Sequence, residues 1–101
     1  MRLSRAHFAP SGPEKRLTSP HFSLSIRDTA THGGCAVIVS KKVAKLSVRR
    51  HLLKRRVLAV VRHECLPTRI LMFYARPGAA SLDFPSLEAE LKGLLARAFP
   101  L

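Results

Sequence analysis

Carboxylates are scarce in this chain. Six Asp and Glu stand against 18 Lys and Arg in 101 residues, a formal charge of +12. From Thr29 to His63 there is no acid at all. Paired-carboxylate acid–base chemistry therefore has little to draw on. Three of the six, Asp83, Glu88 and Glu90, gather in or before the start of an apolar-periodic segment, where they read as partners of a helix dipole. Tryptophan is absent and there is a single tyrosine. No apolar run approaches the roughly 18 residues that a membrane-spanning helix needs, so no membrane partner is expected. The opening MRLSRAHFAPSG has no apolar h-region, so a secretion signal is not expected and the cytoplasm is the expected compartment. The two cysteines, Cys35 and Cys65, form no CxxC and have no metal-ligand pattern beside them. They are expected to be small, free, buried or half-buried side chains in a reducing compartment, in preference to a bridge. His51 has no second ligand at helical spacing, which argues against a metal site on the protein. Ser40 has no His or Asp arrangement that would make a hydrolase.

What is present is positive charge in one place. Lys41, Lys42, Lys45, Arg49, Arg50, Lys54, Arg55, Arg56 and Arg62 fall within 22 residues and make up half of the Lys and Arg. Apolar residues recur among them, and the chain is 47% hydrophobic, so this is a folded basic surface and not a disordered polyelectrolyte. Such a surface is the footprint of a polyanion, with nucleic acid the first candidate. The length suits a single binding domain spanning residues 1–101.

Periodicity gives the element order. Residues 1–20, broken by Pro10, Gly12, Pro13 and Pro20, read as an arm with at most a short helical turn around Arg5–Phe8. In HFSLSI, Phe22, Leu24 and Ile26 alternate with polar residues, the mark of a half-buried strand. CAVIVS over 35–40 is a β-branched run suited to a central strand, and Gly33-Gly34 marks the turn before it. Ser47 is a plausible N-cap for a helix running to about Glu64. At 100° per residue, Leu46, Leu53, Val57, Val60 and Val61 fall on one side of that helix. His51, Lys54, Arg55, Leu58 and Arg62 fall on the other. RILMFYA over 69–75 reads as a buried strand. Leu87, Leu91, Leu94, Leu95 and Ala98 mark a final helix from Ser86, with Asp83 and Ser86 competing as its cap. The order arm, strand, strand, helix, strand, helix predicts an α+β fold, a small mixed sheet packed against helices. The strand–helix–strand unit predicts parallel neighbours, and chain physics alone favours a right-handed crossover.

Arg49 and Arg50 fall in the first turn of the basic helix, where cations oppose the macrodipole at a cost of about 0.3–1 kcal/mol each. The missing acids also remove the usual i,i+4 partners. Folding alone does not choose this placement; an external anion does. No second helix leads into this one through a tight turn, as a helix-turn-helix DNA reader requires. Lys41-Lys42 at a strand end and the helix together make a broad surface suited to a folded RNA backbone.

At these residues the chain resembles the protein component of bacterial ribonuclease P. That family has a strand ending in Val-Ser-Lys-Lys-Val, then Arg-Asn-x-x-Lys-Arg on a helix. Here Val39-Ser40-Lys41-Lys42-Val43 matches in full, and the second motif reads Arg50-His51-Leu52-Leu53-Lys54-Arg55. Phe73-Tyr74-Ala75-Arg76-Pro77-Gly78-Ala79 is similar to the family's strand closed by Ala-Arg-Pro. His51 replaces the usual Asn, Leu58 replaces a common Arg, and Arg49 and Arg50 both suit the first motif position. The family's first helix, with its aromatic wall, is reduced or missing in the arm.

The resemblance implies a subunit that binds a catalytic RNA and the 5′ leader of precursor tRNA, and helps that RNA remove the leader. It implies that Mg²⁺ is held by the RNA, that the protein alone is not catalytic, and that no protein partner is required. It implies RNA contacts from Lys41, Lys42, Lys45, Arg49, Arg50, His51, Lys54, Arg55 and Arg62. The sheet face would cradle the leader, with Phe8 and Phe22 as candidates for its cleft, although a strand Phe is more often core. It also implies a left-handed crossover, against the chain-physics expectation. The rival expectations are a basic RNA-binding protein of the ribosome, a DNA-binding regulator, and a self-sufficient nuclease.

Overall fold

The computed structural model describes residues 14–28 and 32–99. Four strands form one mixed sheet: β1 (Lys15–Thr18), β2 (Phe22–Asp28), β3 (Gly34–Ile38) and β4 (Arg69–Ala75), in the order β1-β2-β4-β3. β1 runs antiparallel to β2 and β2 antiparallel to β4, while β3 is parallel to β4. Helix α1 (Ser47–Val61) connects β3 to β4, and helix α2 (Phe84–Ala98) closes the chain. The strand–helix–strand unit and the α+β class are as the periodicity predicts.

One face of the sheet makes the core. Phe22, Leu24, Ile26, Val37, Leu71 and Phe73 meet Leu53, Val57 and Val61 of α1 and Leu87, Leu91 and Leu94 of α2 in a single cluster. Each such side chain contributes about 1.5–3 kcal/mol by leaving water. Helix α2 starts where an acid caps it: Asp83 Oδ1 accepts from the Ser86 amide at 2.9 Å, which settles the competing caps and lengthens the helix to Phe84. Hydrogen bonds from Ser86, its hydroxyl first and its amide second, lower the Asp83 carboxyl pKa. Helix α1 has no such help. Its N-cap is Leu46, without a side-chain bond, and no acid lies in its first turn. Ser47 is thus the first helical residue and not the cap.

Four expectations change. Lys15–Thr18, read as part of an arm, is an edge strand, held by pairing with Ser23–Ile26; the helical turn around Arg5–Phe8 lies outside the described residues. Leu46, placed on the core stripe, is 60% exposed, because it precedes the helix and does not follow its wheel. Tyr74 alternates away from the core with Ile70 and Met72, because Leu71 and Phe73 take the inner face. Cys35 and Cys65 are not free but bonded to one another. The parallel pairing of β3 and β4 carries the start of β3 beside the end of the α1 connection, which brings together two cysteines 30 residues apart.

Candidate nucleic-acid interface

The segment between β3 and α1 is built to present lysines. The amides of Val43 and Ala44 both donate to the Ser40 carbonyl, which folds residues 40–44 into a tight turn. Val39 and Ala44 are buried and Val43 is half-buried, so the apolar members of the motif anchor the turn. Lys41, Lys42 and Lys45 are left exposed. Arg50 reaches back from α1, its Nη1 donating to the carbonyls of Ala44 at 2.9 Å and Lys45 at 2.8 Å. One of the family-motif arginines therefore ties the lysine-bearing turn to the helix.

Around α1 the cations are arranged on more than one side. Leu53, Val57 and Val61 are its buried stripe. At 100° per residue, half-buried Arg50 falls in line with that stripe, one turn before Leu53, half-buried Lys54 lies along one flank, and Arg49 and half-buried Arg56 lie along the other. His51, Arg55 and Arg62 are exposed and turned away from the core. Arg49 and Arg56 border a groove with Leu52, Leu53 and Ala80, so Arg56 covers apolar surface as a long stem does. The outward face is not wholly polar: Val48 is 69% exposed, and Leu52 and Leu58 are also exposed among the cations.

Among the described residues, none of the nine cations from Lys41 to Arg62 pairs with a carboxylate. The ion pairs found there are Glu14 with Arg16 and Arg27, His21 with Glu90, Glu64 with Arg69, and Glu88 with Lys92. Asp83 is the cap of α2. Five of the six acids are thus engaged elsewhere, and none of them draws on the basic surface.

The opposite face of the sheet offers a different surface. Glu14, Arg16, Ser25, Arg27, Ile70, Met72 and Tyr74 line a concavity of ≈ 390 Å³. The Tyr74 hydroxyl lies 3.7 Å from Met72 Sδ. Glu14 is held by Arg16 first and Arg27 second, which lowers its carboxyl pKa to about 2, so the two arginines are partly neutralised here. The resemblance implies a role for the sheet face, but sequence reasoning missed the residues that form it, because apolar residues occupy both sides of β4 and hide the period of two. Phe22 does not belong to it. That ring is fully buried under the helices, so it stabilises the core and cannot stack on a base; Phe8 lies outside the described residues.

At the end of the sheet where β4 finishes, a polar network fastens three elements. Glu90 of α2 accepts from the Ser19 hydroxyl, from the His21 amide at 2.7 Å, and faces His21 Nδ1 at 2.8 Å. Burial raises the Glu90 pKa, but the bonds from Ser19 and His21 outweigh it and the net shift is downward. The Arg76 amide and guanidinium donate to the carbonyls of His21 and Ser19. The motif Ala75-Arg76-Pro77-Gly78 is therefore a fastening between β4 and the β1–β2 turn. Gly78 has φ +93°, and a Cβ there would meet the His21 ring at 3.1 Å.

Comparison with known proteins agrees with this fold. The family model described as Ribonuclease P matches residues 5–99. The chain is 34% identical over 96 residues to the ribonuclease P protein component of Microcystis aeruginosa, covering 86% of this chain and 79% of that protein. The fold is similar to that of the Staphylococcus aureus RNase P protein, with a TM-score of 0.73 at 19% identity over 84% of this chain and 81% of that one. It is also similar to the Thermotoga maritima RNase P protein, with a TM-score of 0.72 at 22% identity over 96% and 94% of the two chains.

Proposed function

This chain belongs to the ribonuclease P protein family, and from that membership we propose how its two surfaces divide the work. The chain is the protein subunit of an endoribonuclease, with an RNA-binding role in tRNA 5′ maturation. The basic surface from Lys41 to Arg62 takes the backbone of the ribonuclease P RNA. Lys54, Arg55, Arg62 and His51 meet phosphate or 2′-hydroxyl groups, with Arg49 beside them. Lys41, Lys42 and Lys45 extend the contact, and Arg50 sets the position of those three. The observation that carries this reading is the set of nine neighbouring cations with no carboxylate on any of them among the described residues.

The outer sheet face takes the single-stranded leader of precursor tRNA. Tyr74 supplies a ring on which a base can stack, Met72 and Ile70 an apolar floor, and Arg16 and Arg27 attraction for phosphate. Bases have faces and phosphates have charge, and a surface with one aromatic ring and tempered charge suits the former. The Mg²⁺ of cleavage belongs to the RNA. Among the described residues no three His, Cys, Asp or Glu side chains come together as a metal site, and no step is assigned to a metal on this chain. The protein positions both RNAs and screens their mutual repulsion; phosphodiester hydrolysis is left to the RNA.

Reconstitution tests the reading. Added to its cognate RNA at low Mg²⁺, the protein is expected to raise the rate of leader removal and to lower the Mg²⁺ requirement. Unchanged rate and unchanged Mg²⁺ dependence refute it.

A further inference from the structure

The geometry points to a redox clasp: the Cys35–Cys65 bridge fixes the C-terminal end of the basic helix to the sheet, and its reversible reduction weakens RNA binding. The weakening of binding rests on the RNA reading above; the clasp itself does not.

Location makes the case. Cys35 is the second residue of β3, and Cys65 follows the short 3₁₀ turn Arg62–Glu64 that ends α1. The bond closes a loop of 30 residues that contains all nine clustered cations. Cross-linking a loop restricts the open states available to the segment within it. The bridge thus holds the crossover that carries the basic surface, and it sits next to Arg62.

Three features suit the site to switching and not merely to stapling. The first is non-covalent reinforcement around the bond. The Gly33 amide donates to the Pro67 carbonyl at 3.1 Å, and the approach is so close that a Cβ on Gly33 would lie 2.4 Å from that oxygen. Arg69 donates to the Glu64 carbonyl and to its carboxylate, and its guanidinium stacks 3.9 Å from the Phe99 ring centroid. The Gly33–Pro67 hydrogen bond and the pairing of β3 with β4 hold the two cysteine segments together when the bridge is open, and Arg69 fixes the Cys65 segment to the start of β4, so the thiols stay within reach of one another. The second is a waiting partner: Cys65 Sγ lies 3.4 Å from the Val61 carbonyl, an acceptor for the S–H that reduction creates. The third is access. Both cysteines are half-buried, and Cys35 borders a surface pocket with His32, Gly33, Gly34, Ala36, Ile70 and Met72 at the edge of the sheet.

The chemistry is thiol–disulfide exchange with a dithiol reductant. Its thiolate attacks Cys35 Sγ, the bridge breaks, and Cys65 leaves as a thiolate and takes a proton. The second thiol of the reductant then resolves the mixed disulfide. Two electrons and two protons pass to the chain, and the reductant becomes a disulfide. A protein that works on transcripts meets thiol pools in which bridges are usually transient and sensing.

The test compares full-length protein equilibrated with glutathione disulfide against the same protein treated with dithiothreitol. Intact mass reports the two hydrogens, hydrogen exchange reports the helix end, and titration with ribonuclease P RNA reports affinity. The expected result is two folded forms. In the reduced form, amides of Leu58–Val61 exchange about tenfold faster or more, and RNA affinity falls about fivefold as the cations lose preorganisation. Reoxidation is expected to restore both. A Cys35→Ser, Cys65→Ser double variant is expected to match the reduced form with or without dithiothreitol. Free thiols that persist in the disulfide buffer overturn the proposal, as does a reduced wild type that unfolds. Identical exchange and affinity in the two forms also overturn it. Oxidised protein that shows the exchange difference but binds no RNA refutes the RNA reading and leaves the clasp standing.

Discussion

The two exposed faces of this molecule carry cations in opposite company. Around α1 and the turn before it, nine cations have no carboxylate among them. On the outer sheet face, Arg16 and Arg27 share Glu14, and an aromatic ring and two apolar side chains stand beside them. Unpaired cations on a rigid helix bind by displacing counterions and are indifferent to base identity. A partly neutralised, partly apolar concavity binds by contact and stacking, with a salt slope limited to what Arg16 and Arg27 contribute. Charge in a protein of +12 is thus not spread evenly but withheld from one face and concentrated on another.

Salt is the strongest way to separate the two. If about six cations of the α1 surface each neutralise a phosphate, affinity for the ribonuclease P RNA falls roughly a thousandfold between 50 and 200 mM salt. In the Lys54→Ala, Arg55→Ala double variant, binding is expected to weaken and the log–log salt slope to flatten by about two. A wild-type slope in that variant breaks the comparison. Leader binding is the next test. Tyr74→Ala is expected to cost about 1–3 kcal/mol in affinity for a precursor with a leader, measured against the same tRNA without one. The salt slope should stay as in the wild type. A loss that is equal with and without the leader places Tyr74 outside the cleft.

The smallest effect concerns the fastening that holds the sheet end in register. Glu90 has its pKa lowered on folding and Glu14 has its lowered from 4.5 to about 2. A carboxyl with a depressed folded pKa contributes stability that is present above its unfolded value and lost as pH falls through its folded value. Denaturant melts are therefore expected to show stability falling from about pH 5 towards pH 2. Glu90→Gln is expected to cost about 1 kcal/mol at pH 7, with the gap to wild type closing as pH falls below the usual glutamate range and through the lowered folded value. A gap independent of pH removes the ionised carboxylate from the account.

Much of this was legible before the structure. The basic turn, the helix behind it and the leucine-rich final helix are local patterns with strong periods. The exceptions depend on what lies next to what. Lys15–Thr18 carries a single apolar residue, Leu17, and becomes a strand only through its neighbour. The alternation in Phe22–Ile26 identifies a face but not whether that face looks to helices or to solvent, so Phe22 was open to two roles and takes the core. In β4 the apolar residues on both sides conceal the outward set of Ile70, Met72 and Tyr74. The cysteines lie 30 residues apart with no motif, and only the strand order brings them together. Arg50 fits the family pattern as an RNA contact, yet its bonds to the carbonyls of Ala44 and Lys45 depend on a loop shape that no spacing rule encodes.

The order β1-β2-β4-β3 leaves β3 at one border of the sheet, and its residues Gly34–Ile38 include no lysine, no proline and no acid. Strands so placed usually need a local deterrent against annealing to another copy. Here the deterrent is global: two molecules each bearing +12 repel before their borders can meet. A polyanion that cancels this repulsion removes the safeguard at the same moment, so crowding the protein on too little RNA invites sheet-to-sheet association, and a full complement of RNA keeps the copies apart.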